Sequence, residues 1–129
     1  MLISLDFSSD TPIYTQLCNQ IVIGVASGAL SPGEALPSVR LMAGNIGVHA
    51  HTVNKAYSFL SREGFIVIDC RSGCRVADII PDADESFKDT LRGKLLPIAA
   101  SAAGRHISID AFKALCEEIY RSLNQRVGG

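Results

Sequence analysis

No apolar run in this sequence approaches the roughly 18 residues that a membrane-spanning helix needs, because Gly, Ser, Asn or a charged residue breaks each one. Residues 1–9 carry no basic cluster and include Asp6, so no secretory leader is expected and a cytoplasmic location follows as the default. The four cysteines stand at 18, 70, 74 and 116, without the paired CxxC spacing of a structural zinc site. Reduced thiols are the expectation, with no metal and no cofactor. GxGxxG, P-loop, HExxH and EF-hand patterns are also missing. A Ser/His/Asp set would have to be gathered from unrelated segments, so an enzyme is not expected. The formal net charge is only −1, which argues against a surface that is basic all over.

The chain has 129 residues, 47% of them hydrophobic and spread along its length, enough for one folded domain with a short helical appendage. Charge is uneven. From residue 40 to 75 the basic side chains are Arg40, Lys55, Arg62, Arg71 and Arg75, against Glu63 and Asp69, while Asp82, Asp84, Glu85 and Asp89 crowd the segment that follows.

After a short polar arm, Thr11 and Pro12 mark a helix start, and Ile13, Leu17, Ile21 and Val25 recur every four residues up to Gly28. A proline-glycine turn follows at Pro32 and Gly33. Ser38 opens a second helix with Val39, Leu41, Met42 and Ile46, which Gly47 closes; Thr52, Val53, Ala56, Tyr57 and Leu60 mark a third that ends at Gly64. Two short helices across a glycine-containing turn form a helix-turn-helix. Residues 65–68 and 74–79 are β-prone around a turn at Arg71, Ser72 and Gly73, which makes a wing. Two further helices are expected beyond Pro81, one with Phe87, Leu91, Leu95 and Ile98, the other with Ile109, Phe112, Leu115, Ile119 and Leu123. A bare helical pair cannot bury all of these, so a second copy of the chain is the expected partner. The fold expected is mainly α with a small β-hairpin: a winged helix-turn-helix over residues 1–80 and a two-helix dimerisation segment over residues 81–129.

In a helix-turn-helix the third helix enters the major groove of duplex DNA with its N-terminal residues toward the bases. Those are His49, His51, Thr52 and Asn54, with Lys55 one step further round as a phosphate contact. Ser38 and Arg40 begin the preceding helix, where free amides and a guanidinium suit a phosphate or a guanine; Ser38 reads equally well as a helix cap. At the wing, Gly73 allows close approach to the duplex, and Arg71 and Arg75 either reach the minor groove or remain solvated charges. His49 and His51 point to different faces of a helix, against a metal pair. Tyr57 and Leu60 read as core. Cys70 and Cys74 lie four residues apart around the hairpin, which admits a redox- or metal-responsive sensor beside the simpler reading of half-buried side chains.

The strings Pro12, Ile13, Tyr14; Gly28 to Glu34; Leu36, Pro37, Ser38, Val39, Arg40; Thr52, Val53, Asn54, Lys55, Ala56, Tyr57; and Leu60, Ser61, Arg62, Glu63, Gly64 together resemble the DNA-binding domain of GntR-type bacterial transcriptional regulators. The resemblance runs from about residue 10 to 78. The tail, about 82 to 127, resembles the small YtrA-like subgroup, whose tails serve mainly in dimerisation. The resemblance implies DNA contacts at Arg40, Thr52 and Lys55, with the second wing glycine at Gly73. It further implies a homodimeric repressor, often of genes for a membrane transporter, and does not say whether a small-molecule effector exists; a twofold dimer would in turn impose a palindromic or pseudo-palindromic operator in double-stranded DNA. The chain departs from the family pattern in the wing, which lacks the first glycine and the aromatic residue, and at His51, where the subgroup commonly has asparagine. A different reading keeps the winged-helix scaffold but makes it a protein-interaction module, in line with the weak overall charge.

Overall fold

The computed structural model describes residues 3–69 and 73–125. Helix α1, Ile13–Ser27, buries Leu17, Cys18 and Ile21 and stops where Gly28 turns left-handed at φ 80°. Its start differs from the expected cap. Pro12 is the cap residue and makes no side-chain cap bond, while the Thr11 carbonyl accepts 2.9 Å from Gln16 Nε2. Gln16 and Gln20 lie one turn apart on α1 and bind the arm before it as a strand would. Gln16 accepts from the Asp6 N–H at 2.8 Å and donates back to the Asp6 carbonyl at 2.9 Å. Gln20 does the same with Ser4, accepting its N–H at 2.9 Å and donating to its carbonyl.

Helices α2, Val39–Ile46, and α3, Ala50–Arg62, form the helix-turn-helix. Between them Gly47 adopts φ 72°, a left-handed conformation in which any other residue is strained. Val53, Ala56, Tyr57 and Leu60, one face of α3 at helical spacing, are all 0% exposed and meet Leu17, Ile21 and Met42 in the core. Each large side chain buried there contributes about 1.5–3 kcal/mol.

The wing is part of a three-stranded antiparallel sheet. Strand β2, Ile66–Asp69, pairs with β3, Gly73–Val76, which pairs on its other edge with β1, Ala35–Leu36. The sequence reading placed a strand over 74–79, but the ladder stops at Val76, and residues 77–84 are a linker. Alternation along β3 sends Cys74 and Val76 into the core and Arg75 outward.

Helices α4, Glu85–Gly104, and α5, Ile109–Gln125, follow. Asp84 caps α4 by accepting 2.8 Å from the Phe87 N–H, and Ser108 accepts 3.1 Å from the Ala111 N–H at the start of α5. Within α4, Pro97 has no N–H to donate to the carbonyl one turn back, so the helix runs one bond short near its middle. Helix α5 packs on α1 and on α4, yet no residue of α4 is buried. Leu96, Ile98, Ile109, Ile119 and Tyr120 are all more than half exposed. Among the described residues, no helix is long and apolar enough to cross a membrane.

Candidate nucleic-acid interface

The outer surface of α2 and α3 carries most of the polar residues singled out by the sequence. Ser38 caps α2, its Oγ accepting 3.1 Å from the Leu41 N–H, so one lone-pair position of this hydroxyl is already used by the fold. Arg40, in the first turn, is exposed. His49 is the cap residue of α3 and makes no side-chain cap bond. On α3, His51, Asn54 and Lys55 are exposed at i, i+3 and i+4, which aligns them on one face, and Thr52 is half-buried beside them. Because the opposite face of α3 is completely buried, this polar face is held on a rigid element.

Two further contacts set the geometry of the surface. The Tyr57 hydroxyl donates 2.8 Å to the Pro37 carbonyl, tying α3 to the turn that leads into α2. The Lys55 ammonium lies 4.0 Å from the centroid of the Tyr14 ring, in the first turn of α1. Tyr14 enters the sequence reading only within the Pro12, Ile13, Tyr14 string, and nothing in helical spacing signals a contact between segments so far apart.

The wing is only partly arranged as expected. Gly73 opens β3 at φ 81°, and among the described residues nothing lies within 4 Å of the position a Cβ would take. Arg75 turns back onto Asp78 in a 3.3 Å ion pair, its side chain 34% exposed. Asp78 was not among the sequence candidates. Arg71 and Cys70 lie outside the described residues. Cys74 is 6% exposed between β1 and β2, and burial pushes its thiol above its ordinary value of 9.0. Burial likewise pushes up Cys18, whose thiol donates 3.7 Å to the Ala56 carbonyl. Desolvation holds the Tyr57 hydroxyl well above its ordinary value, with the neighbouring Cys74 adding to the effect. These are neutral, protonated groups and not activated nucleophiles.

The sequence pattern of bacterial regulatory proteins of the gntR family matches residues 13–76, the span from α1 through β3. A solved structure, YtrA from Sulfolobus acidocaldarius, a GntR-family transcription factor, is 38% identical, with 95% of this chain and 99% of that one covered and a TM-score of 0.56. The chain belongs to the GntR family. The HTH-type transcriptional repressor YtrA of Bacillus subtilis (strain 168) is 45% identical over 65 residues; the match spans half of each chain. The crystal structure of a transcriptional antiterminator from Listeria monocytogenes EGD-e superimposes with a TM-score of 0.87 over 96% of this chain and 93% of that one, at 26% identity. The last overlay reaches past the winged helix into α4 and α5. As a GntR-family member the chain is a DNA-binding regulator built on a helix-turn-helix, and the surface of α2 and α3 is where that function is to be sought.

Proposed function

We propose that this GntR-family regulator is a homodimeric, sequence-specific repressor that reads a palindromic operator in duplex DNA with α3 in the major groove. The observation that carries the reading is the two-sided character of α3: one face wholly buried, the other presenting His51, Asn54 and Lys55 beside exposed Arg40. In this reading His51, Thr52 and Asn54 address base edges and His49 the adjoining phosphate; Lys55 and the amides behind Ser38 take phosphates, and Arg40 a phosphate or guanine. Gly73 brings the wing close to the duplex, with Arg71 and Arg75 as its basic side chains.

Residues 1–80 then form the DNA-binding unit and residues 81–129 the dimerisation unit. The exposed large apolar side chains of α4 and α5, Leu96, Ile98, Ile109 and Ile119 among them, support the second assignment, since a partner that covers them removes apolar surface from water. Repression is supported by the named role of the Bacillus relative. A small operon such as one for a membrane transporter is the kind of target expected.

Selection of bound sequences from random duplex DNA at two salt concentrations tests the reading, with Arg40→Ala as control. Enrichment of a palindromic site that is lost with Arg40→Ala is expected, because a twofold dimer imposes its symmetry on the operator. No enrichment, or enrichment indifferent to Arg40, contradicts DNA reading and favours a protein-interaction role for the same scaffold.

A further inference from the structure

We infer that Tyr14 is a positioning residue for DNA binding: its ring seats the Lys55 ammonium beside the outer face of α3, and the two side chains act as one backbone-phosphate site. The inference rests on the DNA-binding reading above and adds to it a residue on α1, outside the helix-turn-helix.

Three observations carry it. First, the Lys55 Nζ lies 4.0 Å from the Tyr14 ring centroid, well inside the roughly 6 Å over which a ring quadrupole attracts a cation. Second, the ring is anchored. Tyr14 is half-buried and packs against the hydrophobic core, whereas Lys55 is exposed. The mobile partner therefore takes its place from the fixed one. Third, the partner is a ring and not a carboxylate. Arg75 shows the contrast, because the Asp78 carboxylate that holds it also competes for the charge a phosphate would use. A ring face leaves the ammonium fully charged and occupies only one side of it, so N–H donors on the other side stay available to a phosphate oxygen. Gripping a phosphate costs a free lysine much of its rotamer freedom. Lys55 has already given up part of that freedom in the absence of DNA, and preorganisation of this kind strengthens binding without a new contact to the ligand.

A purely structural role for Tyr14 as core filler predicts different behaviour, and a double-mutant cycle separates the two. Tyr14→Phe, Tyr14→Leu, Lys55→Met and Tyr14→Leu/Lys55→Met are titrated with the duplex enriched in selection, over a range of salt, and unfolded thermally in parallel. Tyr14→Phe keeps the ring and binds within twofold of wild type. Tyr14→Leu binds about two- to fivefold more weakly. Lys55→Met lowers the salt slope by about 0.9 per protomer. In the Lys55→Met background Tyr14→Leu has no further effect.

Equal losses from Tyr14→Leu in both backgrounds, or no loss in either, overturn the inference while leaving DNA binding intact. Failure of the wild-type protein to enrich any duplex removes the DNA reading and this inference with it. Should Tyr14→Leu not fold, the wild-type protein still decides the matter by NMR. The Lys55 Hε protons are expected upfield of those of solvated lysines with no ring beside them, and an unshifted resonance overturns the seat.

Discussion

The Tyr57 hydroxyl, on the buried face of α3, donates a 2.8 Å hydrogen bond to the carbonyl of Pro37, the residue just before the Ser38 cap of α2. One side chain thus fixes where α2 begins relative to α3, and with it the spacing of Arg40 from His51 and Lys55. Tyr57→Phe keeps the buried ring but strands the carbonyl. A loss of about 1–2 kcal/mol in folding stability is expected in urea titrations, together with weaker binding to the selected duplex. An unchanged unfolding midpoint would show that the bond contributes nothing net.

Gly64 ends the α3 turn at φ 85°, and a Cβ placed there would lie 2.7 Å from Pro81 Cδ. Two costs therefore fall on Gly64→Ala, the left-handed backbone and the overlap with the linker, for a total of at least about 2 kcal/mol. Gly73 has a similar φ of 81° but, among the described residues, no atom within 4 Å of the Cβ position, so Gly73→Ala is expected to cost only the backbone part, about 1 kcal/mol. Thermal unfolding of the two variants side by side checks the ranking.

Asp78 holds Arg75 at 3.3 Å, and with side chains 71% and 34% exposed the pair is a weak source of stability. Asp78→Asn is expected to change folding stability by less than about 0.5 kcal/mol. Its effect on DNA binding is larger in proportion: Arg75 is released, an acid is removed from the wing, affinity rises and the salt slope steepens by about 0.9 per protomer. A slope equal to that of wild type would mean that Arg75 stays off the duplex.

The buried thiols give a pH signature. Burial raises Cys18 and Cys74 from an ordinary value of 9.0, and Tyr57 from 10.0. The unfolded chain therefore releases these protons at lower pH than the folded chain does. The contribution of these three groups to stability is level below about pH 8 and falls as pH climbs through 9 and beyond, the unfolded state binding fewer protons there. Urea titrations across that range check the direction. Under native conditions Cys116, which is exposed, should alkylate before Cys18 and Cys74, as peptide mapping by mass spectrometry would register. Early labelling of Cys74 would instead restore the case for a sensing thiol in the wing.

Periodic features were the legible ones. Apolar recurrence located the core faces of α1 and α3, and the glycines at 28, 47 and 64 marked the left-handed turns that close α1, separate α2 from α3 and follow α3. The cap at Ser38 was readable as one of two roles, because a hydroxyl before an apolar run suits the free amides of a first turn. Features that depend on distant partners were not. Strand β1 has only two residues, Ala35 and Leu36, and exists because β3 offers an edge. Tyr14 meets Lys55, and Asp78 meets Arg75, only once the chain has folded. Thr11 looked like a cap because its hydroxyl precedes Pro12, but the glutamine clamp on the arm places the start of α1 at Pro12. Of the candidate site, the α2 and α3 residues were readable in order, whereas the wing depended on tertiary pairing that spacing does not encode.

The most direct test is the ratio of affinities for the selected operator and for a scrambled duplex of the same length and composition, at a single salt concentration near 0.15 M. A dimer that reads bases through α3 predicts a ratio of about a thousand or more, falling steeply with Arg40→Ala. A ratio near one, or one that Arg40→Ala leaves unchanged, would contradict the account.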